Sequence, residues 1–187
     1  DESLWLQIWS GLNSEVEKSF LKKNRKDLCL SDTDHSYFAD GLIDLKRNRW
    51  VGVMEKDNKD YLVSFLLDRE LQEPEILYQA KDFMGYLSSN SISDKYAWVE
   101  WNQPFMPWDS NFLKVAFINK IDTITLESIA NITLKKGVNS TYSFFQPIWL
   151  NDNELIVAED TSGWSNLLKV SFIKNISFDA NSILKIE

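Results

Sequence analysis

Three stretches of this 187-residue sequence follow one pattern. The first reads GLIDLKRNRWVGVMEKDNKDYLVSFLLD from Gly41. The second reads YLSSNSISDKYAWVEW from Tyr86 and resumes, after a longer loop, as NFLKVAFIN from Asn111. The third reads FFQPIWLNDNELIVAEDTSGWSNLLKVSF from Phe144. Each opens on an apolar strand, passes a polar turn and enters a β-rich strand that ends near an acidic residue. A second turn and an outer strand follow. Glu55, Glu100 and Glu159 take corresponding places in the three units. A further apolar run follows the first two, at Pro74 to Tyr78 and Leu126 to Ile132, and Ser182 to Ile186 can close the third.

Four short strands repeated every ~45 to 60 residues describe a propeller blade. A four-stranded sheet cannot bury both faces alone. Stacking against the next copy removes those faces from water, so the repetition is a physical requirement. The expected fold is therefore all-β, a partial β-propeller of about three to four four-stranded blades. Residues 1–35 would end a preceding blade, 36–82 form a blade, 83–140 a blade with a long loop insertion, and 141–187 a blade. A β-sandwich also produces short alternating strands, but it has no need to repeat one strand-turn-strand pattern.

Individual strands are read at Leu4 to Trp9, Arg49 to Met54, Tyr61 to Leu67, Tyr96 to Trp101 and Phe112 to Ile118. Others are read at Phe144 to Leu150, Glu154 to Glu159 and Asn166 to Phe172, from apolar runs broken by Asn, Asp, Ser and Gly turns. Ser14 to Lys23 is the one candidate helix, with Val16, Phe20 and Leu21 near helical spacing. Aromatic residues make up 13% of the chain, with eight Trp and eleven Phe against six Gly, which suits stacked sheets. The net charge is -8, with Lys and Arg scattered, so no basic stripe awaits a nucleic acid. No apolar run approaches the ~20 residues of a membrane helix. Cys29 is the only cysteine, which leaves no intrachain disulfide or cysteine-based zinc cluster, and it reads as a small buried hydrophobe. The opening Asp1-Glu2-Ser3, without an initiator Met or signal segment, suggests a start internal to a longer protein.

Several segments resemble the propellers of prolyl-oligopeptidase-type serine peptidases. Phe145-Gln146-Pro147-Ile148-Trp149-Leu150-Asn151-Asp152-Asn153-Glu154-Leu155 is similar to the Pro-x-Trp-Ser-Pro-Asp-Gly-x-Leu opening of a blade. Glu159-Asp160-Thr161-Ser162-Gly163-Trp164-Ser165-Asn166-Leu167 resembles the Ser-Asp-Arg-x-Gly-Trp-Trp-Asn-Leu that follows it. Ala97 to Pro104, running into Met106-Pro107-Trp108-Asp109, resembles an insertion of the acylaminoacyl-peptidase and dipeptidyl-aminopeptidase branch. Tyr37 to Asp40, Asp44 and Arg47 to Arg49 fit the same branch. The likeness spans residues 37–172 and departs at the Ser-Pro-Asp-Gly turn, replaced by Asn90 to Asp94 and by Asn151 to Asn153. Asn is the usual substitute for a positive-φ Gly. The resemblance implies a two-domain serine peptidase whose propeller filters peptide access to a C-terminal α/β-hydrolase domain carrying Ser, Asp and His. That domain and a peptide substrate would be the partners.

The chain carries none of that chemistry itself. None of its six glycines forms a Gly-x-Ser-x-Gly nucleophile elbow. His35, the only histidine, sits in a Ser/Asp-rich turn and precedes any position a triad histidine could take. Asp32-Thr33-Asp34 and Asn151 to Glu154 are oxygen-rich but lack the Gly and distal Glu of a calcium loop, so no metal or cofactor is expected. Glu159 and Asp160 are neighbours and would point to opposite faces of a strand. The candidate site is the loop from Trp101 to Asp109, where Trp101, Phe105, Met106, Trp108 and Asp109 lie among two stiffening prolines. It would either shape the substrate entrance at the propeller rim or fold over its own blade. Trp164 and Asp160 have the same two readings. Two other functions remain open: a stand-alone TolB-like propeller that binds proteins, and a decayed gene product. A three- to four-blade arc would also expose flat apolar faces and self-associate. Its Glu, Asn, Lys, Ile and Ser bias with few Gly suggests an AT-rich microbial genome, with a bacterial cytoplasm the default.

Overall fold

A computed structural model describes residues 4–8, 26–31, 36–118, 126–132, 141–172 and 185–186, with side chains for 36–118, 129–132 and 141–172. The candidate helix, His35, Asp32 to Asp34 and the side chain of Cys29 lie outside what is described. Among the described residues there is no helix, and so none long and apolar enough to cross a membrane.

Strands β1 (Leu4–Ile8) and β2 (Lys26–Ser31) form an antiparallel pair. Three four-stranded antiparallel sheets follow. The first comprises β3 (Ser36–Asp44), β4 (Arg49–Lys56), β5 (Lys59–Leu66) and β6 (Glu75–Gln79), and the second β7 (Phe83–Ser89), β8 (Lys95–Trp101), β9 (Phe112–Ile118) and β10 (Leu126–Ile132). The third comprises β11 (Phe144–Asn151), β12 (Glu154–Glu159), β13 (Asn166–Ser171) and β14 (Lys185–Ile186). In each sheet the strands lie side by side in sequence order. The leading strands of neighbouring sheets pack together, β3 on β7 and β7 on β11. This is a partial β-propeller, with the leading strands innermost.

The inner strands begin earlier than the apolar runs suggest, at Ser36 and Phe83. Each inner strand is interrupted by a bulge that sets two residues against one on the next strand: 40–41 opposite 52, 86–87 opposite 98, and 146–147 opposite 157. The first bulge residue has a positive φ in every sheet: Asp40 at 50°, Tyr86 at 59° and Gln146 at 49°. Left-handed backbone costs a non-glycine residue about 1–2 kcal/mol, so the same strained feature in three sheets marks a structural repeat. The Asp40 carboxylate accepts the Tyr86 N–H at 2.6 Å and ties the first two inner strands together.

The bulges also correct the alignment of the acids. Glu100 and Glu159 pair with Met84 and Phe144, each two residues before its bulge. In the first sheet that place, opposite Phe38, belongs to Met54. Glu55 is one residue further on and exposed, where the other sheets carry Trp101 and Asp160. A one-residue slip moves a side chain to the other face, so Glu55 is not the counterpart of Glu100 and Glu159. The turn chemistry differs too: in Asn90 to Asp94 the positive φ falls on Ser93, at 52°, and not on an Asn. Asn90 instead accepts the N–H groups of Asp94 and Lys95 with its side-chain oxygen.

The cores lie between sheets. On β8, Tyr96 and Trp98 point one way and join Val51, Val53, Leu62 and Met84 against the first sheet. Ala97 and Val99 point the other way and join Leu113, Val115, Phe144, Leu155, Val157 and Val170 against the third. A strand buried on both faces loses the alternation of a half-exposed one, and KYAWVEW is apolar on both sides. On the first sheet's other face, Trp50, Met54, Val63 and Phe65 form a third cluster. The Trp50 indole lies over Gly41 and Gly52, where a Cβ would meet its ring at 2.2 to 2.4 Å.

Candidate functional site

The loop between β8 and β9, residues 102–111, is shaped by its own hydrogen bonds. Phe105 N–H donates to the Asn102 carbonyl at 3.0 Å, and Asp109 and Ser110 N–H both donate to the Met106 carbonyl. The Asp109 carboxylate accepts the Met106 N–H at 3.0 Å. At the entry, Gln103 N–H donates to Asp82 at 3.1 Å, and the Gln103–Pro104 peptide is cis. At the exit, the buried Asn111 side chain donates to the Pro107 and Phe144 carbonyls at 2.7 and 3.0 Å and accepts the Phe144 N–H at 2.8 Å. The backbone of this apolar loop is therefore held at both ends.

The predicted site residues separate into two groups. Phe105, Met106 and Trp108 are 45%, 47% and 60% exposed. They are not folded over their own blade. Trp101, at the end of β8, is partly buried and stacks on Phe83 at 5.9 Å, and Asp109 caps its own loop. Trp101 is thus engaged with its own blade, whereas Asp109 binds its own loop and stays exposed.

The corresponding turn of the third sheet, residues 160–165, sits beside the same anchor. Asp160 accepts the Ser143 N–H and hydroxyl at 2.6 and 2.8 Å, one residue from the Phe144 backbone that Asn111 clamps. Above it Trp164 is 81% exposed, so it is not a packing device. Asn111 and Asp160 were not legible as a shared clamp, because the two are far apart in sequence and meet only through Ser143–Phe144.

The buried carboxylates are spent on structure. Asp44 holds the Arg47 guanidinium at 2.7 Å and accepts the Tyr96 hydroxyl at 2.8 Å, and Arg47 reaches across to the Ser93 carbonyl. Burial, with the Asp44 charge alongside, pushes the Tyr96 hydroxyl well above the usual phenol range. Glu100 accepts the Tyr78 hydroxyl at 2.9 Å and lies 3.5 Å from Lys114. Burial and that hydrogen bond raise Tyr78 likewise. Glu159 accepts the Thr161 N–H at 2.7 Å. Asn151 Oδ1 accepts the Asn153 N–H at 2.8 Å in an Asx turn. Among the described residues no three His, Cys, Asp or Glu side chains gather as a metal site. The arrangement offers an apolar contact surface on a loop held at both ends, and among the described residues the buried carboxylates serve structural contacts.

No family model matches the sequence, and no curated protein does. Solved structures do. A Mycobacterium tuberculosis puromycin-hydrolyzing peptidase matches at a TM-score of 0.65 and 21% identity, over 81% of this chain and 25% of that one. A mutant puromycin hydrolase complexed with PGG matches at 0.68 and 20% identity, over 79% of this chain and 24% of that one. A further puromycin hydrolase structure matches at 0.65, also at 20% identity. The chain thus spans about a quarter of the length of these proteins. At this identity the likeness shows the fold.

Proposed function

We propose that the chain is part of the propeller of a prolyl-oligopeptidase-type serine peptidase, and that its 102–111 loop shapes the path of peptides to a hydrolase domain outside this sequence. The observation that carries this reading is the apolar triplet Phe105, Met106 and Trp108, held in solvent on a loop fixed at both ends. Exposing three large apolar side chains on a rigid loop is unfavourable unless something is to be contacted, and rigidity lowers the entropy lost on contact. The solved peptidases that share the fold, and of which this chain spans a quarter, supply the class of parent. On this reading residues 1–35 end a preceding blade, the parent hydrolyses peptides, and the chain alone hydrolyses nothing.

The alternative is an interaction module whose aromatic loop grips another protein. An in-frame Gly-x-Ser-x-Gly downstream, followed by Asp and His, separates the two. In the full-length parent, Trp108→Ala should lower kcat/KM for peptide substrates by roughly 10-fold, the worth of one well-packed aromatic contact. An unchanged kcat/KM with unchanged thermal stability would reject the entrance role.

A further inference from the structure

The first two sheets leave a groove between their inner strands, at the strand ends opposite the 102–111 loop. Its volume is about 580 Å³, within the ~300–1,000 Å³ of small-molecule sites. One wall is the end of β3 and the turn after it, with Leu42, Ile43 and Leu45 and, at its edge, Lys46. The other wall, residues 87–93, carries serine at 88, 89, 91 and 93. Leu42 and Leu87 pack on the core between the two sheets, whereas Ile43, Leu45 and Ile92 are exposed. Both walls are held by the protein's own contacts. Arg47, paired with Asp44, donates to the Ser93 carbonyl at 2.6 Å and bolts one turn to the other. Asn90 fixes the second turn by accepting the N–H groups of Asp94 and Lys95. A groove already in shape loses less on binding.

We propose that this groove binds short free peptides that end in an aliphatic residue, holding the terminal carboxylate at Lys46. In a chain of net charge -8, Lys46 is the only charged residue of the lining. Among the described residues its partner is the Ile92 carbonyl at 3.4 Å, beyond the usual hydrogen-bond range, and a carbonyl does not neutralise an ammonium with three donors. Two acids border the groove and both are engaged, Asp44 by Arg47 and Tyr96, and Asp152 by the Ser91 hydroxyl. The charge of the site therefore calls for an anion. Its two unlike walls call for a peptide. Ser89 and Ser91 give their hydroxyl protons to the Asn90 carbonyl and to Asp152, so each offers a ligand an acceptor oxygen. Peptide N–H groups match those oxygens while aliphatic side chains cover Leu42, Leu45 and Ile92. A fatty acid would set methylene groups against the serine wall and strip its hydroxyls of water without replacement. The site stands whether or not the parent is a peptidase.

The test is a titration of the 187-residue chain with acetyl-Leu-Leu, followed by the amide resonances of the protein. Acetyl-Leu-Leu amide, which lacks the carboxylate, and octanoate are the comparison probes. Acetyl-Leu-Leu should shift amides of 42–46 and 87–93 with a Kd below about 1 mM and leave those of 102–111 unmoved. The amide form should bind about 5-fold more weakly, the upper worth of one exposed ion pair, and octanoate should also bind more weakly than the peptide. Lys46→Met keeps an unbranched apolar stem at an exposed position, so the thermal midpoint should not change. That variant should no longer distinguish the acid from the amide. A Kd above about 1 mM, shifts confined to 102–111, or equal affinity for acid and amide in the unaltered chain would each overturn the proposal. So would octanoate binding as tightly as the peptide, or a Lys46→Met chain that still prefers the acid.

Discussion

Gly52→Ala adds one methyl group at a crowded backbone position in the first sheet, under the Trp50 ring. The new Cβ would lie 2.3 Å from Trp50 Cη2, 2.4 Å from Cζ2 and 2.9 Å from the Cα of Gly41. Ordinary contact begins at 3.4 Å, so the indole must retreat by about 1 Å. It has no free side to retreat into: Phe38 packs against it edge-on at 6.1 Å and Phe65 at 5.9 Å. Overpacking of this kind costs about 1–3 kcal/mol, and disturbing the aromatic cluster adds about 0.5–1.5 kcal/mol. The expected loss is therefore about 2–4 kcal/mol, read from urea denaturation as a fall in midpoint at constant slope. Gly163→Ala is the control. Nothing lies within 4 Å of its Cβ and its φ is +86°, so only the left-handed backbone resists, at about 1 kcal/mol. Trp50→Leu alone costs about 2–4 kcal/mol as a large-to-small core change. Combined with Gly52→Ala it should cost at least about 1 kcal/mol less than the two losses added, because the smaller side chain leaves room for the methyl group. If Gly52→Ala costs no more than Gly163→Ala, or if the two losses simply add, the packing of Trp50 over the glycines is wrong.

Trp98 is fully buried and its indole N–H has no partner among the described residues. Trp98→Ala should cost about 3–5 kcal/mol, and Trp98→Phe under about 2 kcal/mol, because it also removes the unpaired donor. Asp60 accepts the Met84 N–H at 2.8 Å, yet burial, with the Glu55 charge adding to it, raises its carboxyl above the ordinary range. A raised folded-state value means that the native chain holds this proton where the unfolded chain has lost it. Asp60 therefore stabilises the acid side and loses that contribution as pH climbs from its ordinary value of 3.8 through the raised one. Asp60→Asn keeps the acceptor and should flatten that part of the stability-pH curve; an unchanged curve would refute the assignment.

The strands that the sequence shows most clearly are those buried on both faces. KYAWVEW and RWVGVMEK are short apolar runs bounded by turn residues, and both are second strands of their sheets. The inner strands were harder to read, since Asp40, Tyr86 and Gln146 interrupt the two-residue period with left-handed backbone that nothing in their side chains announces. The same shift defeated the alignment of Glu55 with Glu100 and Glu159, because residue type is blind to which face a strand presents. The apolar character of the 102–111 loop was visible from its composition. Its anchoring was not: Asn111 and Asp160 act through Ser143 and Phe144, contacts that exist only once the second and third sheets are stacked. The same stacking decides which aromatics stay exposed, so Trp101 and Trp108, seven residues apart in one run, end in different surroundings.

Side-chain contacts around β8, measured as nuclear Overhauser effects between ring and methyl protons, test the arrangement most directly. Beyond neighbours in their own sheet, the stacked-sheet account predicts that Tyr96 and Trp98 report first-sheet partners such as Val51, Val53 and Leu62 and none from the third sheet. Val99 should report third-sheet partners such as Leu155 and Val157 and none from the first. Contacts from both sets to the first sheet or both to the third, or fast solvent exposure of either set, would mean that β8 has a single buried face and that the chain is not a stack of propeller blades.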